Sequence, residues 1–85
     1  MIDELRNRID EIDRDLVRLL NDRGKVAAQI GEEKRKTGRE ITDTQREEEV
    51  LSRVKEANYG PFSDPQIVEI YRKIILETKN LEEVS

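Results

Sequence analysis

The feature that most constrains this chain is one helical pattern that runs through nearly half of its 85 residues. Apolar residues recur in alternating steps of four and three, which is the heptad pattern of a helix that packs against long partners. The first break is Thr37-Gly38, a typical helix stop. We therefore predict a first helix over about residues 2–36. Its apolar seam consists of Leu5, Ile9, Ile12, Leu16, Leu19, Val26 and Ile30.

Such a helix is longer than a chain of this size can cover by itself. Some 35 residues at ~1.5 Å each give a rod of about 50 Å, whereas a compact monomer of this length is about 25 Å across. The chain has one Phe, two Tyr and no Trp for a core, and no Cys or His for a disulfide or a structural zinc site. We predict that the chain forms a homodimer whose second copy covers the seam.

Two shorter helices are predicted after the break, over about residues 43–58 and 64–83. The second ends at the turn cluster Asn58-Tyr59-Gly60-Pro61, and Pro65 suits the first turn of the third. The sequence has no strand-like alternation, internal repeat or linker. It predicts a single all-α domain over residues 1–85.

Composition excludes several function classes. The net charge is −4, which is unlike a nucleic-acid binder, and no apolar run is long enough to span a membrane. The charged N-terminus does not resemble a signal peptide, and the lack of Cys favours the cytoplasm. Without His or Cys, thiol nucleophiles, imidazole bases and most transition-metal sites are excluded. We expect chemistry without a metal or cofactor.

Cations interrupt the apolar stripe of the first helix. Arg23 occupies the seam position between Leu19 and Val26, and Lys34 follows eleven residues later, almost three whole turns on. Burying an unpaired cation is costly, so Arg23 needs an anionic partner. That partner is either a bound ligand or, in the alternative interpretation, an acid of the protein that sets the packing register.

Polar residues also interrupt the stripes of the other two helices, near ends that antiparallel connections bring together. Each taken alone fits a surface ion pair or a solvated helix end. Together with the cations they suit a small, dianionic, hydroxylated ligand held between helices. They are Asp43, Arg46 and Glu47 in the second helix, and Thr78 and Glu82 in the third.

Arg6 lies too far from this group to join it within one chain. It precedes Arg23 by 17 residues, which is roughly 25 Å along the helix and about 100° around it. An antiparallel dimer partner could bring its own Arg6 to the pocket. The alternative is an ordinary solvated arginine.

An ordered set of short segments resembles the all-helical chorismate mutases over essentially the whole chain. The most telling is a D-x-x-R-E helix start at residues 43–47. The segments are Leu5-Arg6, Ile9-Asp10-Glu11-Ile12-Asp13, Asn21-Asp22-Arg23, Ile30-Gly31-Glu32-Glu33-Lys34 and Asp43-Thr44-Gln45-Arg46-Glu47.

The resemblance implies an intertwined homodimeric helical bundle that converts chorismate to prephenate without a cofactor. Each pocket would lie mostly in one chain and take one arginine from the other. The partner's Arg6 and Arg23 would clamp the two substrate carboxylates, and Lys34 would donate to the ether oxygen. Glu47, helped by Asp43, would accept the ring hydroxyl.

Three further positions follow from the same resemblance. Arg46 would stand at the pocket wall, and Thr78 falls where the family often has Ser. Glu82 falls where many members have Gln facing the ether oxygen. An ionised carboxylate there would repel that oxygen, whereas a protonated one could donate to it. We therefore expect activity to rise toward mildly acidic pH, and Glu82→Gln to flatten the profile.

Three rival interpretations remain at this stage. Isochorismate-pyruvate lyases share this fold, but as the resemblance has it they lack the full D-x-x-R-E set that this chain keeps. The turn at residues 58–64 resembles mutase-like domains fused to the first synthase of aromatic biosynthesis, which implies a chorismate or prephenate sensor with a synthase partner or fusion. The third is a plain helical dimerisation domain, which predicts no stabilisation by ligand.

Overall fold

The computed structural model describes residues 1–38 and 44–84, and within them every regular element is a helix. Helix α1 covers Ile2–Thr37, α2 covers Thr44–Ala57 and α3 covers Asp64–Val84. The predicted fold class, one very long N-terminal helix followed by two shorter ones, is confirmed. None of the described helices is long and apolar enough to cross a membrane.

The helix ends follow from local residue chemistry. Gly38 takes a left-handed conformation with φ 75°, and its N–H donates to the Lys34 carbonyl, which closes the last turn of α1. Ser63 and Gln66 form a reciprocal cap on α3: the Ser63 N–H donates to Gln66 Oε1 at 2.9 Å, and the Gln66 N–H donates to Ser63 Oγ at 3.3 Å. Thr42 or Asp43 is predicted from the sequence to cap α2, and both lie outside the described residues.

Helix α3 packs on both α1 and α2 and so ties the fold together. Its contact with α1 is close because α1 presents small buried residues there, Gly24, Ala27 and Gly31. A Cβ built on Gly24 would lie 2.9 Å from Leu81 Cδ1, and one built on Gly31 would lie 2.5 Å from the Glu82 carbonyl oxygen. The absence of side chains at these two glycines therefore lets the C-terminal half of α3 approach the backbone of α1.

The buried face of α3 differs in part from the predicted one. The apolar spacing of the third helix predicts a buried stripe of Ile67, Ile70, Tyr71, Ile74, Ile75 and Leu81. Four of these residues are half-buried in α3, but Ile70 and Leu81 are exposed. Val68, which lies outside the predicted stripe, is among the most buried apolar residues described. The reason is that α3 packs on two helices on different sides, which one apolar stripe cannot describe.

The N-terminal half of α1 extends past the other helices. Every residue from 1 to 22 is exposed, including the bulky residues of the predicted seam. The chain measures 55 × 23 × 15 Å. Its radius of gyration is 15.6 Å, whereas a compact domain of this length has about 12 Å.

Candidate active site

A cavity of about 340 Å³ lies between the C-terminal half of α1, the start of α2 and the C-terminal half of α3. Its volume is in the range of pockets that hold small ligands. Within residues 1–38 and 44–84, the wall combines an aliphatic part with six charged side chains and one hydroxyl. The lining residues are Arg23, Val26, Ala27, Ile30, Lys34, Arg46, Glu47, Val50, Ile75, Thr78, Lys79 and Glu82.

Arg23 lines this wall, and its hydrogen-bond partner there is a neutral hydroxyl. Its NH1 donates to Thr78 Oγ1 at 2.7 Å, and Thr78 in turn donates to the Ile74 carbonyl at 2.6 Å. The guanidinium carbon also lies 5.9 Å from the centre of the Tyr71 ring. A hydroxyl and an aromatic face orient the guanidinium but do not cancel its charge. This arrangement leaves positive charge beside the cavity for an anion.

Lys34 and Glu82 face each other across the cavity end. Lys34 Nζ lies 3.7 Å from Glu82 Oε2, and both side chains are largely buried, at 17% and 15% exposed. The position of Glu82 is fixed through its backbone as well, since Arg35 NH1 donates to the Glu82 carbonyl at 2.7 Å. Gly31 contacts the same stretch of α3. Glu82 is therefore held against α1 from two sides.

The start of α2 supplies a second pair of charges. Glu47 Oε1 lies 3.3 Å from Lys79 Nζ of α3, with the side chains 31% and 27% exposed. Arg46 lines the cavity and also lies 3.5 Å from Glu49 Oε2 on the outer surface. The pair between Glu47 and Lys79 joins α2 to α3 at the cavity rim.

Most of the residues predicted from the sequence come together here. The structure places Arg23, Lys34, Arg46, Glu47, Thr78 and Glu82 in the lining of one cavity. Arg6 lies on the exposed N-terminal half of α1 and does not line it, and Asp43 lies outside the described residues.

Sequence reasoning missed Lys79 and Arg35, which contact Glu47 and Glu82 from neighbouring helices. The available signal for Lys79 was its place directly after Thr78. Nothing in the sequence indicated its partner.

The charges of the lining favour a dianion. Among the described residues, four cations and two carboxylates line the cavity, so positive charge is in excess in this part of the wall. Opposite charges in a partly enclosed site attract more strongly than in bulk water. The arrangement therefore suits a small ligand with two negative charges, with an aliphatic wall for its carbon skeleton.

The comparison with known families agrees with this geometry. The family model for chorismate mutase type II matches residues 5–83. The chain belongs to this family. The resemblance predicted from the sequence segments is thereby confirmed.

Relatives and solved structures add detail to the family assignment. A bifunctional chorismate mutase/prephenate dehydratase from Aquifex aeolicus is 42% identical over 93% of this chain, and one from Neisseria gonorrhoeae is 40% identical over 95%. The chain spans 23% of the length of each of these two relatives. A chorismate mutase from Methanocaldococcus jannaschii is 30% identical over 93% of this chain and 81% of that protein.

The fold is similar to solved chorismate mutases. Form II of the enzyme from Thermus thermophilus superposes with a TM-score of 0.97 at 34% identity, covering 99% of this chain and 96% of that chain. Form I of the same enzyme gives a TM-score of 0.89 over 91% of this chain. This chain thus shares its three-helix fold with both of these structures.

Proposed function

We propose that this chain catalyses the rearrangement of chorismate to prephenate in the cavity between its three helices. Chorismate is a small dianion that carries two carboxylates, a ring hydroxyl and an ether oxygen. The observation that carries the proposal is the Arg23 guanidinium, which lines the cavity with a neutral hydroxyl as its partner. The excess of positive charge among the described lining residues supports it.

The reaction suits a site without nucleophiles. In one concerted step the ether C–O bond breaks while a new C–C bond forms, and no proton or leaving group departs. The protein has to hold the compact, chair-like conformer and stabilise the negative charge that builds on the ether oxygen. Fixed cations in a partly enclosed cavity can do both.

We assign the substrate carboxylates to two arginines. Arg23 binds one of them, held in direction by its hydrogen bond to Thr78. The partner's Arg6 binds the other, and Arg46 contributes positive charge at the wall. Arginine suits this role because its planar donors bind a carboxylate in a bidentate manner.

We assign the ether oxygen to Lys34 and Glu82. Lys34 Nζ and Glu82 Oε2 lie 3.7 Å apart, so an oxygen on the cavity side of this pair can lie within hydrogen-bond distance of both. Lys34 donates to the ether oxygen and to a neighbouring carboxylate. Glu82 faces the same oxygen, at the position where the resemblance implies Gln in many members. At the part of the cavity rim that α2 forms, Glu47 accepts a hydrogen bond from the ring hydroxyl, with help from Asp43.

We further propose that the chain works as a homodimer in which the exposed half of α1 packs against a second copy. The bulky residues Ile2, Leu5, Ile9, Ile12, Leu16, Val17, Leu19 and Leu20 are all between 45% and 63% exposed. The accessible surface is 6995 Å², about a third more than the ~5,200 Å² of a folded monomer of this mass. Such an excess exceeds the ~800 Å² per partner of a standard interface.

The dimer also completes the site. Arg6 lies on the exposed half of α1, roughly 25 Å along the helix from Arg23. In an antiparallel pair, each chain brings its Arg6 to the cavity of the other. A shared site of this kind makes activity depend on association.

Two further proposals concern the partner enzyme and the cellular location of this chain. We propose that a further enzyme of aromatic biosynthesis works with this chain, as a fusion or a partner. The two bifunctional relatives, which carry prephenate dehydratase in their names, support a fusion. The turn at residues 58–64 supports the synthase partner predicted above. We place the activity in the cytoplasm, which the lack of Cys supports.

The test is the loss of chorismate absorbance with purified chain, followed beside isochorismate as a rival substrate. We expect turnover of chorismate, and a fall of about hundredfold or more in kcat/KM for Arg23→Ala, since one charged clamp on the dianion is lost. The matched control is Arg18→Ala, an exposed arginine of the same helix that pairs with Asp15 and Asp22. Arg23→Ala with parental activity, or turnover of isochorismate in place of chorismate, would contradict the proposal.

A further inference from the structure

Lys79 is a charged residue of the cavity lining. Neither the D-x-x-R-E motif nor the proposed chemistry assigns it a role. It follows Thr78 on α3, and its Nζ lies 3.3 Å from Glu47 Oε1 of α2. Both residues line the cavity, and both side chains are less than a third exposed. An ion pair in that position acts on the site as well as on the fold.

Glu47 needs a partner if its carboxylate is to point into the cavity. It lies in the first turn of α2, where backbone N–H groups have no partner within the helix. A carboxylate in that turn is attracted back to its own helix by those donors and by the helix dipole. A cation on the neighbouring helix, at the cavity rim, offers the competing attraction. Lys79 supplies it.

The ion pair leaves Glu47 able to accept a second hydrogen bond. An ionised carboxylate has two oxygens with about four acceptor positions, and Lys79 contacts Oε1. Oε2 remains for a hydroxyl donor. The Lys79 charge also balances that of Glu47, so that Glu47 does not repel an incoming dianion.

We infer that Lys79 is a positioning residue, which holds the Glu47 carboxylate at the cavity rim so that it accepts the ring hydroxyl of a dianionic substrate. The inference rests on the proposed function. It makes the pair of Glu47 and Lys79 a determinant of specificity for ligands that carry a hydroxyl. A purely structural role, a tie between α2 and α3, would instead lower the melting temperature and leave the kinetics unchanged.

The experiment compares Lys79→Gln with Lys73→Gln, an exposed lysine of the same helix outside the cavity lining. We expect Lys79→Gln to lower kcat/KM about tenfold, mainly through KM because the hydroxyl takes no part in bond making or breaking. Lys79→Arg should stay within about threefold of the parent, since it keeps the charge. Lys73→Gln should match the parent.

A double-mutant cycle with Glu47→Gln separates positioning from structure. If Lys79 acts through Glu47, adding Lys79→Gln to Glu47→Gln lowers kcat/KM by less than about twofold. Full additivity, or equal kinetics for Lys79→Gln and Lys73→Gln in an active parent, would overturn this inference alone. A parent chain without turnover of chorismate would overturn the proposed function and this inference with it.

Discussion

The two halves of α1 share one apolar seam but differ in what packs beside it. Before Arg23 the seam is built from Leu and Ile, and every residue is exposed. After Arg23 the seam continues as Val26 and Ile30, which line the cavity, and the small residues Gly24, Ala27 and Gly31 beside it are buried. The same helix thus changes from a half without buried residues to a half that buries small ones.

This difference shows which half of α1 packs against its own chain. Small residues allow α3 to approach the backbone of α1, and this close contact lies in the C-terminal half of α1. Bulky aliphatic side chains without a neighbour expose apolar surface to water at a cost of about 25 cal/mol per Å². The N-terminal half is therefore the half suited to a second molecule, and the boundary lies where the cavity begins.

The largest expected effect tests whether the two halves meet in one site. Arg6→Ala and Arg23→Ala chains should each be nearly inactive alone, because each lacks one clamp for a carboxylate. When the two are mixed and allowed to exchange, half of the dimers are heterodimers with one intact site. We expect about a quarter of the parental activity in a 1:1 mixture, measured as chorismate turnover after re-equilibration.

The control for this mixing is Arg18→Ala with Arg23→Ala. Arg18→Ala keeps both clamps, so activity should follow the fraction of intact Arg23 chains. If Arg6→Ala with Arg23→Ala shows no recovery, although mass measurements show heterodimers, the two halves of α1 do not share a site.

The second prediction tests whether the exposed N-terminal half of α1 forms the dimer interface. Leu16→Glu should weaken the dimer by about 2–4 kcal/mol per chain, since it places an unpaired carboxylate in an apolar interface. Light scattering coupled to size-exclusion chromatography measures the shift from two chains to one. Arg14→Glu, on the opposite side of the helix, is the matched control and should stay dimeric. A Leu16→Glu chain with parental mass and melting temperature would contradict the dimer face.

The third prediction contrasts two glycines of the covered half. Ala at a helix interior gains about 1 kcal/mol over Gly, but Gly31→Ala would press against the backbone of Glu82 at 2.5 Å. Overpacking costs about 1–3 kcal/mol, so Gly31→Ala should lower the free energy of unfolding by about 1 kcal/mol. Gly24→Ala meets the flexible end of Leu81 at 2.9 Å, so it should be neutral or slightly stabilising. Equal effects in chemical denaturation would contradict the close approach at Gly31.

The sequence predicts the fold further than it predicts the site. The heptad period, Gly38 and the turn before Pro65 are local signals, and the helices follow them closely. The stripe interruptions also indicated residues such as Arg23 and Lys34, which the structure places in one lining.

Contacts between helices could not be predicted in the same way. The ion pair of Lys79 with Glu47 and the hydrogen bond from Arg35 to the Glu82 carbonyl depend on how α3 crosses its neighbours. The apolar pattern did not indicate Gly31 as a packing residue. Such a pattern identifies large apolar side chains, whereas a close contact between two helices needs a residue without a side chain.

The smallest expected effect concerns the charge at Glu82, where α3 meets the covered half of α1. Glu82→Gln removes a carboxylate 3.7 Å from Lys34 Nζ and puts an amide donor in its place. We expect this change to raise kcat/KM for chorismate by about threefold, because negative charge builds on the ether oxygen beside this position. Glu83→Gln, an exposed neighbour outside the lining, should match the parent. A Glu82→Gln chain with the parental kcat/KM would show that Glu82 does not limit catalysis, and that the covered half acts through its cations alone.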